Sequence, residues 1–346
     1  MSGETFIRNA RARLDKPTKR EGDDLNTKYL IAAVAAIVLI ASAAFVYIHY
    51  QGQTSEGEIE ALHNLVDDHG YTTSLTAYPE RIVSLAPSCT EILYAIDAGD
   101  KVVAVTDYCN YPYDFAAYIA AGNMTSVGGF EDPNLEVIAS LNPDLILTSG
   151  GVQEETVETL RNLGYKVLVL DPTNITGVLQ NIELAGRATD KNAEAQTLIN
   201  DITSRVDSVI NKVADAKSKP KVYYEVFYDP TSLWAAGSKA WQNELIEKAG
   251  GINVFADQPL DYFQSSAEAV VDRNPDVIVL PAEGMGEVTP FWGTLDDVKA
   301  RPAWDSISAV QKDRLYTINS DVIQRSGPRV ADAIEQLAKF FHPELF

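Results

Sequence analysis

The sequence predicts an α/β fold of two lobes joined by one long helix and preceded by a transmembrane segment. Three observations support this prediction. One segment recurs at a constant offset, short apolar runs alternate with helix-like segments, and one unbroken apolar run lies near the N-terminus. A chain of 346 residues, 46% of them hydrophobic, has room for about two domains with packed cores.

The repeated segment occurs once in each predicted lobe. Residues 136–147 return as residues 268–279, with a Glu, an Asn, a Pro and an Asp at matching positions. In each copy a helix-like run begins at the Glu and stops at the Asn-Pro pair, because the residue before a proline is disfavoured in the α region. A short apolar run follows, which is typical of a buried parallel strand. The offset is far longer than the 20–50 residues of solenoid repeats, so the pattern predicts two similar lobes.

The apolar run near the N-terminus covers residues 29–50 and is long enough to cross a bilayer core as a helix. Basic residues outnumber acidic ones before it, so the positive-inside rule predicts that residues 1–28 are a cytoplasmic tail. The rest of the chain then lies outside the membrane. A cleaved signal peptide with a small-residue site at residues 41–43 is the alternative. An uncleaved anchor is favoured because the polar leader and the apolar run are both long for a signal peptide.

Residues 51–78 are interpreted as a tether and a small hairpin, and residues 79–188 as the N-terminal lobe. In this lobe, predicted strands alternate with predicted helices, which favours a parallel sheet with right-handed crossovers. Residues 189–218 carry apolar side chains at helical spacing and are predicted to form the connecting helix. The C-terminal lobe then spans residues 219–346 and ends in an amphipathic helix, Val330–Phe341.

Charge and motif content exclude several classes of function. A formal charge of −21 argues against binding of nucleic acid. The chain contains no nucleophile elbow, no Walker A motif and no dinucleotide fingerprint after a strand, so an enzyme is not predicted. The four histidines fall outside the strand-end loops of the lobes, which argues against a zinc or manganese carrier.

Several motifs recur in a fixed order along the predicted lobes: residues 79–91, 106–112, 127–130, 249–253 and 325–329, together with the two Asn-Pro-Asp segments. In this order they resemble the substrate-binding proteins of cobalamin and iron-siderophore ABC importers. The resemblance covers about residues 65–345. Within that group it is closest to the cobalamin-binding proteins, through residues 106–112 and 325–329.

The resemblance implies two Rossmann-like lobes bridged by one long helix, with cobalamin held between them as the transported ligand and no covalently bound cofactor. A ferric siderophore or haem is the alternative ligand. The implied partner is an ABC permease dimer with its ATPase, at the outer face of the cell membrane. In that family one glutamate on each lobe docks onto the permease, and the matching positions here are Glu136 and Glu268.

The resemblance also implies ligand-contacting residues near the ends of strands. Tyr108, Phe130, Trp234 and Tyr262 match positions where the cobalamin-binding pattern places aromatic wall residues. Flat rings suit a corrin because they cover apolar area at low entropic cost and can offer a hydroxyl or indole N–H. Core packing is the alternative for each aromatic residue taken alone. Arg325 could reach a ligand carbonyl or phosphate, or could be a solvated loop charge.

Other interpretations stay open from the sequence. A glutamate in a first helical turn is favoured by the helix dipole, and Ser265 with Glu268 fits a capping box. Cys89 and Cys109 lie in neighbouring predicted loops, where they either form a disulfide or remain free. Glycosylation sequons begin at Asn123 and Asn174.

Overall fold

The computed structural model describes residues 63–229, 232–282 and 294–346. The predicted cytoplasmic tail, the predicted anchor at residues 29–50 and the tether residues 51–62 lie outside the described residues. In the part of the chain that is described, no helix is both long and apolar enough to cross a membrane.

The first described element is a two-stranded hairpin that is attached to the N-terminal lobe. Strands β1 (His63–Val66) and β2 (Thr72–Leu75) pair antiparallel. The carboxylate of Asp67 closes the turn by accepting a hydrogen bond from the backbone N–H of Tyr71 at 2.9 Å. It also accepts from the N–H of Val169 at 3.1 Å, which fixes the hairpin to the neighbouring sheet.

The N-terminal lobe, called the N-lobe below, contains a five-stranded sheet in the order β5-β4-β3-β6-β7, with every pair parallel. The strands are β3 (Ile82–Ser84), β4 (Val102–Val105), β5 (Thr125–Ser126), β6 (Leu145–Thr148) and β7 (Val167–Val169). The helices are α1 (Pro87–Ala95), α2 (Phe115–Ala120), α3 (Leu135–Ser140) and α4 (Glu154–Asn162). All residues of β3, β6 and β7 are buried, as expected for strands covered on both faces. The parallel sheet predicted from the apolar runs is therefore confirmed.

Two helices lie between the sheets along the chain, α5 (Ile175–Thr189) and α6 (Asn192–Val213). Asn174 begins α5, because its side chain accepts a hydrogen bond from the N–H of Gly177 at 2.9 Å. Asp190, with a left-handed φ of 63°, ends it. A stripe of buried residues at helical spacing, including Ile202, Val206 and Val209, holds α6 against the core.

The C-terminal lobe, called the C-lobe below, contains a mixed sheet of six strands in the order β11-β9-β8-β12-β13, with β10 paired to β8. The strands are β8 (Lys221–Asp229), β9 (Ser232–Ala236), β10 (Ile252–Asn253), β11 (Tyr262–Ser265), β12 (Val277–Ala282) and β13 (Leu315–Asn319). Strands β8, β10, β12 and β13 pair parallel, whereas β9 is antiparallel to both β8 and β11. The sequence did not predict this antiparallel ribbon of β9 and β11.

Six α-helices accompany this sheet in the described residues. They are α7 (Trp241–Lys248), α8 (Ala267–Arg273), α9 (Leu295–Ala300), α10 (Ser308–Gln311), α11 (Ser320–Gln324) and α12 (Val330–Phe341). Helix α12 has the bounds predicted for the final amphipathic helix. One hydrophobic cluster continues from the N-lobe through α5 and α6 to α12, so the two lobes share part of their packing.

Candidate ligand cleft and docking glutamates

The two copies of the repeat fold into the same helix, turn and strand unit. Asn134 begins α3 by accepting from the N–H of Val137 at 2.9 Å, and Ser266 begins α8 by accepting from the N–H of Ala269 at 3.2 Å. The proposed capping box of Ser265 with Glu268 is therefore wrong. Ser266 is the cap, because Ser265 still belongs to β11.

Each glutamate of the repeat is the second residue of its helix, Glu136 in α3 and Glu268 in α8. Both side chains are exposed. A carboxylate in this position is stabilised by the helix dipole, but an exposed charge contributes only about 0–1 kcal/mol to folding. Both glutamates therefore expose a carboxylate to solvent at equivalent positions in the two copies.

The Asn and Asp of each copy fix the unit to its sheet. Asn142 and Asn274 end their helices in the left-handed region, with φ values of 45° and 46°. The carboxylate of Asp144 accepts from the N–H groups of Glu80 and Arg81, both at 2.9 Å, just before β3 begins. In the C-lobe the carboxylate of Asp276 accepts from the N–H of Lys221 at 3.0 Å, at the start of β8.

The N-lobe presents two of the predicted aromatic residues in adjacent loops, and Tyr108 and Phe130 are together called the N-lobe wall. Tyr108 follows β4 and is 36% exposed, whereas Phe130 follows β5 and is half-buried against the core. The N–H of Asp107 donates to the carbonyl of Gly128 at 2.9 Å and holds the two loops together. Both residues lie beyond the carboxyl ends of parallel strands, where ligand sites of open α/β sheets form.

A buried glutamine that the sequence analysis missed supports this wall. Gln153 donates from Nε2 to the carbonyl of Phe130 at 2.6 Å and to the carbonyl of Leu85 at 2.8 Å. The Thr148 hydroxyl donates to its Oε1. The Gly150-Gly151 pair before it was a usable signal in the sequence, because glycine readily adopts a positive φ such as the 69° of Gly150.

The C-lobe presents the other two aromatic residues on one face of the antiparallel ribbon, and Trp234 and Tyr262 are together called the C-lobe wall. In the register of β9 and β11, Trp234 lies opposite Gln264 and Tyr262 opposite Ala236, so both rings lie on the same face. Their exposures are 38% and 44%. The hydroxyl of Tyr262 hydrogen-bonds Oε1 of Gln242 at 3.0 Å. The strand-end position expected for Trp234 is corrected, because it lies within β9.

Arg325 is bound within the protein, whereas the sequence analysis expected it to contact the ligand or to lie in solvent. Its side chain is only 9% exposed, and its terminal nitrogens contact Glu91 at 2.9 Å and Asp321 at 2.8 Å. They also donate to Oδ1 of Asn110 at 2.8 Å and to the carbonyl of Tyr108 at 3.1 Å. Two buried carboxylates hold the guanidinium inside the protein, so it is neither a solvated loop charge nor a free donor for a ligand.

Arg325 belongs to a set of charged and polar side chains that crosses the lobes. The set, called the interlobe ion network, comprises Glu91, Asn110, Asp321, Arg325 and Arg329. Glu91, 1% exposed at its side chain, accepts from Nε of Arg329 at 2.8 Å as well as from Arg325. Asn110 donates to Asp321 at 2.8 Å. Burial opposes the charge of Arg329, but the Glu91 carboxylate raises the pKa of this guanidinium above its usual value.

A chain of contacts extends from this network to the C-lobe wall. Trp241 donates from Nε1 to the carbonyl of Ile323 at 3.1 Å, two residues before Arg325. The next residue, Gln242, holds the hydroxyl of Tyr262. Hydrogen bonds at neighbouring residues therefore connect the C-lobe wall to α11, the helix that carries Asp321 of the interlobe ion network.

Comparison with known proteins agrees with this architecture. The sequence profile of a family described as "Periplasmic binding protein" matches residues 82–322, which is more than half of the chain. The chain belongs to the periplasmic binding protein family.

Members of this family that are similar to the chain include two curated relatives and one solved structure. An uncharacterised ABC transporter substrate-binding lipoprotein of Bacillus subtilis is 33% identical over 279 residues, 78% of this chain and 82% of the relative. A vitamin B12-binding protein of Vibrio cholerae is 31% identical over 275 residues, 78% of this chain and 92% of the relative. A possible iron-binding periplasmic solute-binding protein of Staphylococcus epidermidis is 27% identical, with a TM-score of 0.65 and coverage of 76% and 99%.

A separate depression lies in the N-lobe beside the turn between β1 and β2. It has a volume of about 770 Å³, and its lining includes His69, Tyr71, Val152, Glu154 and Glu158. It shares no residue with either aromatic wall. Because its lining is mostly polar and acidic, it is a poor match for an apolar ring system.

The open questions on cysteines and sequons are partly answered by local geometry. Cys89 and Cys109 are both buried and both free. Burial raises the pKa of the Cys89 thiol far above its usual value, so this group stays protonated. The side chain of Asn174 is engaged as the cap of α5, whereas Asn123 is exposed.

Proposed function

We propose that this chain is the substrate-binding component of an ABC importer, and that it captures a corrinoid between the N-lobe wall and the C-lobe wall. The observation that carries the proposal is the distribution of aromatic side chains. Tyr108, Trp234 and Tyr262 are 36–44% exposed and Phe130 is half-buried, with two of the four on each lobe. Large aromatic rings left accessible beside a junction between lobes are typical of ligand-binding clefts.

The chemistry of the walls suits a flat macrocycle with amide side chains. Stacked or edge-on rings bury apolar area with only two side-chain torsions to fix, so little entropy is lost on binding. The Tyr108 hydroxyl can reach a polar group on the ligand, whereas the Trp234 indole N–H donates to the Ser232 hydroxyl at 2.9 Å and leaves the ring face for the ligand. The similarity to a vitamin B12-binding protein, which extends over most of both chains, supports the same ligand class.

A ferric siderophore or haem is the second candidate ligand. The similarity to a possible iron-binding protein favours this class. Aromatic walls also accept a haem or an aryl siderophore, so the walls alone do not separate the two candidates. The experiment below separates them.

The proposed delivery step uses Glu136 and Glu268. They occupy equivalent positions in two copies of one structural unit and are both exposed. One carboxylate on each lobe at matching positions suits a permease with two related subunits. The proposal includes an uncleaved N-terminal helix at residues 29–50. This helix would hold the binding unit at the outer face of the cell membrane. Carbonate washing of membranes tests the anchor, since release of the chain into the wash would contradict it.

The ligand proposal is tested by titrating the full-length protein with cyanocobalamin, cobinamide, a ferric siderophore and haem, using calorimetry and absorbance. We expect one corrinoid per chain. The double variant Trp234→Ala/Tyr262→Ala should lose about 2 kcal/mol or more of binding free energy, roughly 30-fold in affinity. Tyr71→Ala is the matched control, because Tyr71 is 48% exposed but lies away from both walls. Binding of the siderophore or haem without the corrinoids would favour the second candidate, and binding of none would overturn the proposal.

A further inference from the structure

The interlobe ion network touches the proposed ligand site at one point, the backbone of Tyr108. Arg325 comes from the C-lobe, just after α11, and donates to the carbonyl of Tyr108 at 3.1 Å in the N-lobe. It also donates to Asn110, two residues further along the same loop, at 2.8 Å. We propose that Arg325 is a positioning residue that fixes the separation of the lobes and holds the N-lobe wall in its binding geometry.

The partners of Arg325 come from both lobes and include the backbone of the N-lobe wall, which Arg329 does not contact in the described residues. Glu91 in α1, Tyr108 and Asn110 belong to the N-lobe, whereas Asp321 in α11 belongs to the C-lobe. Arg329 bonds the Glu91 carboxylate with two nitrogens, and its guanidinium lies 4.3 Å above the ring of Tyr111. Arg325 therefore joins the loop of the N-lobe wall to buried carboxylates of both lobes, beside the direct hydrogen bond from Asn110 to Asp321.

Burial makes these contacts strong enough to act as a fixed link. The side chains of Glu91, Asp321 and Arg325 are 1%, 6% and 9% exposed. A buried charge that loses its partner is destabilised far more than an exposed one, because water cannot replace the lost contact. Glu91 keeps Arg329 when Arg325 is removed, so the fold retains a counter-charge. Asp321 keeps its hydrogen bond from Asn110 and the electrostatic interaction with Arg329.

The geometry of the guanidinium explains why an arginine stands at this position. Its planar fork directs one terminal nitrogen to Glu91 and Asn110, and the other to Asp321 and the Tyr108 carbonyl. A lysine carries a single ammonium and cannot reach both sides at once. Arg325→Lys therefore preserves the charge but should lose the link between the lobes.

The consequence for binding is that the separation of the lobes and the position of Tyr108 are fixed before the ligand binds. This inference rests on the proposed corrinoid site, since its purpose is to place Tyr108. When a binding-competent arrangement falls from full population to one tenth, the apparent affinity falls about tenfold with no change in direct contacts. Arg325→Ala should therefore weaken corrinoid binding by about tenfold or more, although Arg325 does not touch the ligand.

The first test measures the separation of the lobes without any ligand. Spin labels are placed at Leu163→Cys in the N-lobe and Leu260→Cys in the C-lobe, where the native side chains are 64% and 49% exposed. The native Cys89 and Cys109 are buried and should not react. Electron–electron distance measurements should give one narrow distribution for the parent protein and a shifted or broadened one for Arg325→Ala and Arg325→Lys. A distribution as narrow as the parent's in both variants would overturn the proposal.

Arg205→Ala is the matched control for the distance measurement. Arg205 in α6 contacts Asp332 at 2.5 Å and Glu335 at 2.8 Å in α12, so its removal also leaves two acids without their cation. Among the described residues, its contacts include neither the N-lobe wall nor the interlobe ion network. The distribution should stay narrow in this variant, and an equal broadening would show that Arg325 has no special role.

The second test is a double-mutant cycle on ligand affinity with Arg325→Ala and Tyr108→Ala. If Arg325 acts through Tyr108, its removal should change affinity by less than about threefold once the ring is absent. An undiminished loss in the Tyr108→Ala background would overturn the proposed route. Should Arg325→Ala fail to fold, Arg325→Lys replaces it in both tests. If the parent binds no corrinoid, the proposed function fails, while the ligand-free distances still decide this inference.

Discussion

The N-lobe and the C-lobe contain the same helix, turn and strand unit but place it in different sheets. In both copies an asparagine ends the helix in the left-handed region, with φ values of 45° and 46°. In both, an aspartate fixes the start of the neighbouring strand. The N-lobe sheet is parallel throughout, whereas the C-lobe sheet carries an antiparallel ribbon that presents Trp234 and Tyr262.

The difference suggests a division of work within each lobe. The repeated unit places an exposed glutamate at the same helix position in each lobe, which suits a partner with two related subunits. The aromatic walls differ in backbone and in residue type, which suits a ligand with two unlike faces. We propose that the repeated features serve the symmetric partner and that the features that differ serve the ligand.

The largest expected effect follows from removing the repeated glutamates. Glu136→Ala/Glu268→Ala should abolish delivery of ligand to the permease, and each single change should weaken it. Removing one partner of a desolvated interface charge pair costs about 2–5 kcal/mol. The measurement is uptake of labelled corrinoid by proteoliposomes that contain the permease and its ATPase.

Ligand affinity and melting temperature should be nearly unchanged in this double variant, because both side chains are exposed. Glu155→Ala is the matched control, since Glu155 is also an exposed glutamate in a first helical turn. Unfolding of the double variant would assign the glutamates to helix stability. Loss of ligand binding with docking retained would show that the two glutamates face the ligand and not the permease.

A smaller effect is expected on the free energy of unfolding, and it should differ between the two aspartates of the repeat. Asp144 accepts two backbone N–H groups, from Glu80 and Arg81, whereas Asp276 accepts one, from Lys221. Asp144→Ala should therefore reduce the free energy of unfolding by about 1–2 kcal/mol and Asp276→Ala by about 1 kcal/mol or less. Urea unfolding of the two variants measures the difference, with the Asn replacement at each position as control. Equal losses would show that the second N–H contact of Asp144 contributes nothing.

The smallest expected effect is on the pH dependence of stability, through the ion pairs between α6 and α12. The hydrogen bond from Arg205 lowers the pKa of Glu335 below its usual value of 4.5. Because the folded pKa is depressed, the stabilisation is fully present above about pH 4.5 and is lost as the pH falls through the folded value. Melting curves from pH 6 to pH 3 should therefore fall less steeply for Arg205→Ala than for the parent. An equal fall in melting temperature with pH for the variant and the parent would contradict this expectation.

The sequence predicted the elements that depend on local pattern. Continuous apolar runs between helix-like segments indicated the parallel N-lobe sheet, and periodic apolar residues gave the bounds Val330–Phe341 for the last helix. The matched Glu, Asn and Asp positions indicated equivalent units, because an Asn-Pro pair has few backbone options. These signals lie within a few consecutive residues.

The features that the sequence missed depend on contacts between distant segments. Glu91 and Arg325 are 234 residues apart and meet only when both lobes have folded. The ribbon of β9 and β11 joins two short strands whose exposed faces carry Trp234, Tyr262 and Gln264, so no continuous apolar run marks them. The cap at Ser266 was missed because two adjacent serines fit the same pattern and only the fold selects one.

The central claim is that walls from both lobes bind one ligand, and hydrogen exchange with and without cobinamide tests it most directly. The account predicts slower amide exchange on ligand addition in residues 106–112 and 128–131 of the N-lobe. It predicts the same for the ribbon strands Ser232–Ala236 and Tyr262–Ser265 of the C-lobe, with no change around the depression lined by Tyr71 and Val152. Slower exchange confined to one lobe, or centred on that depression, would contradict the account.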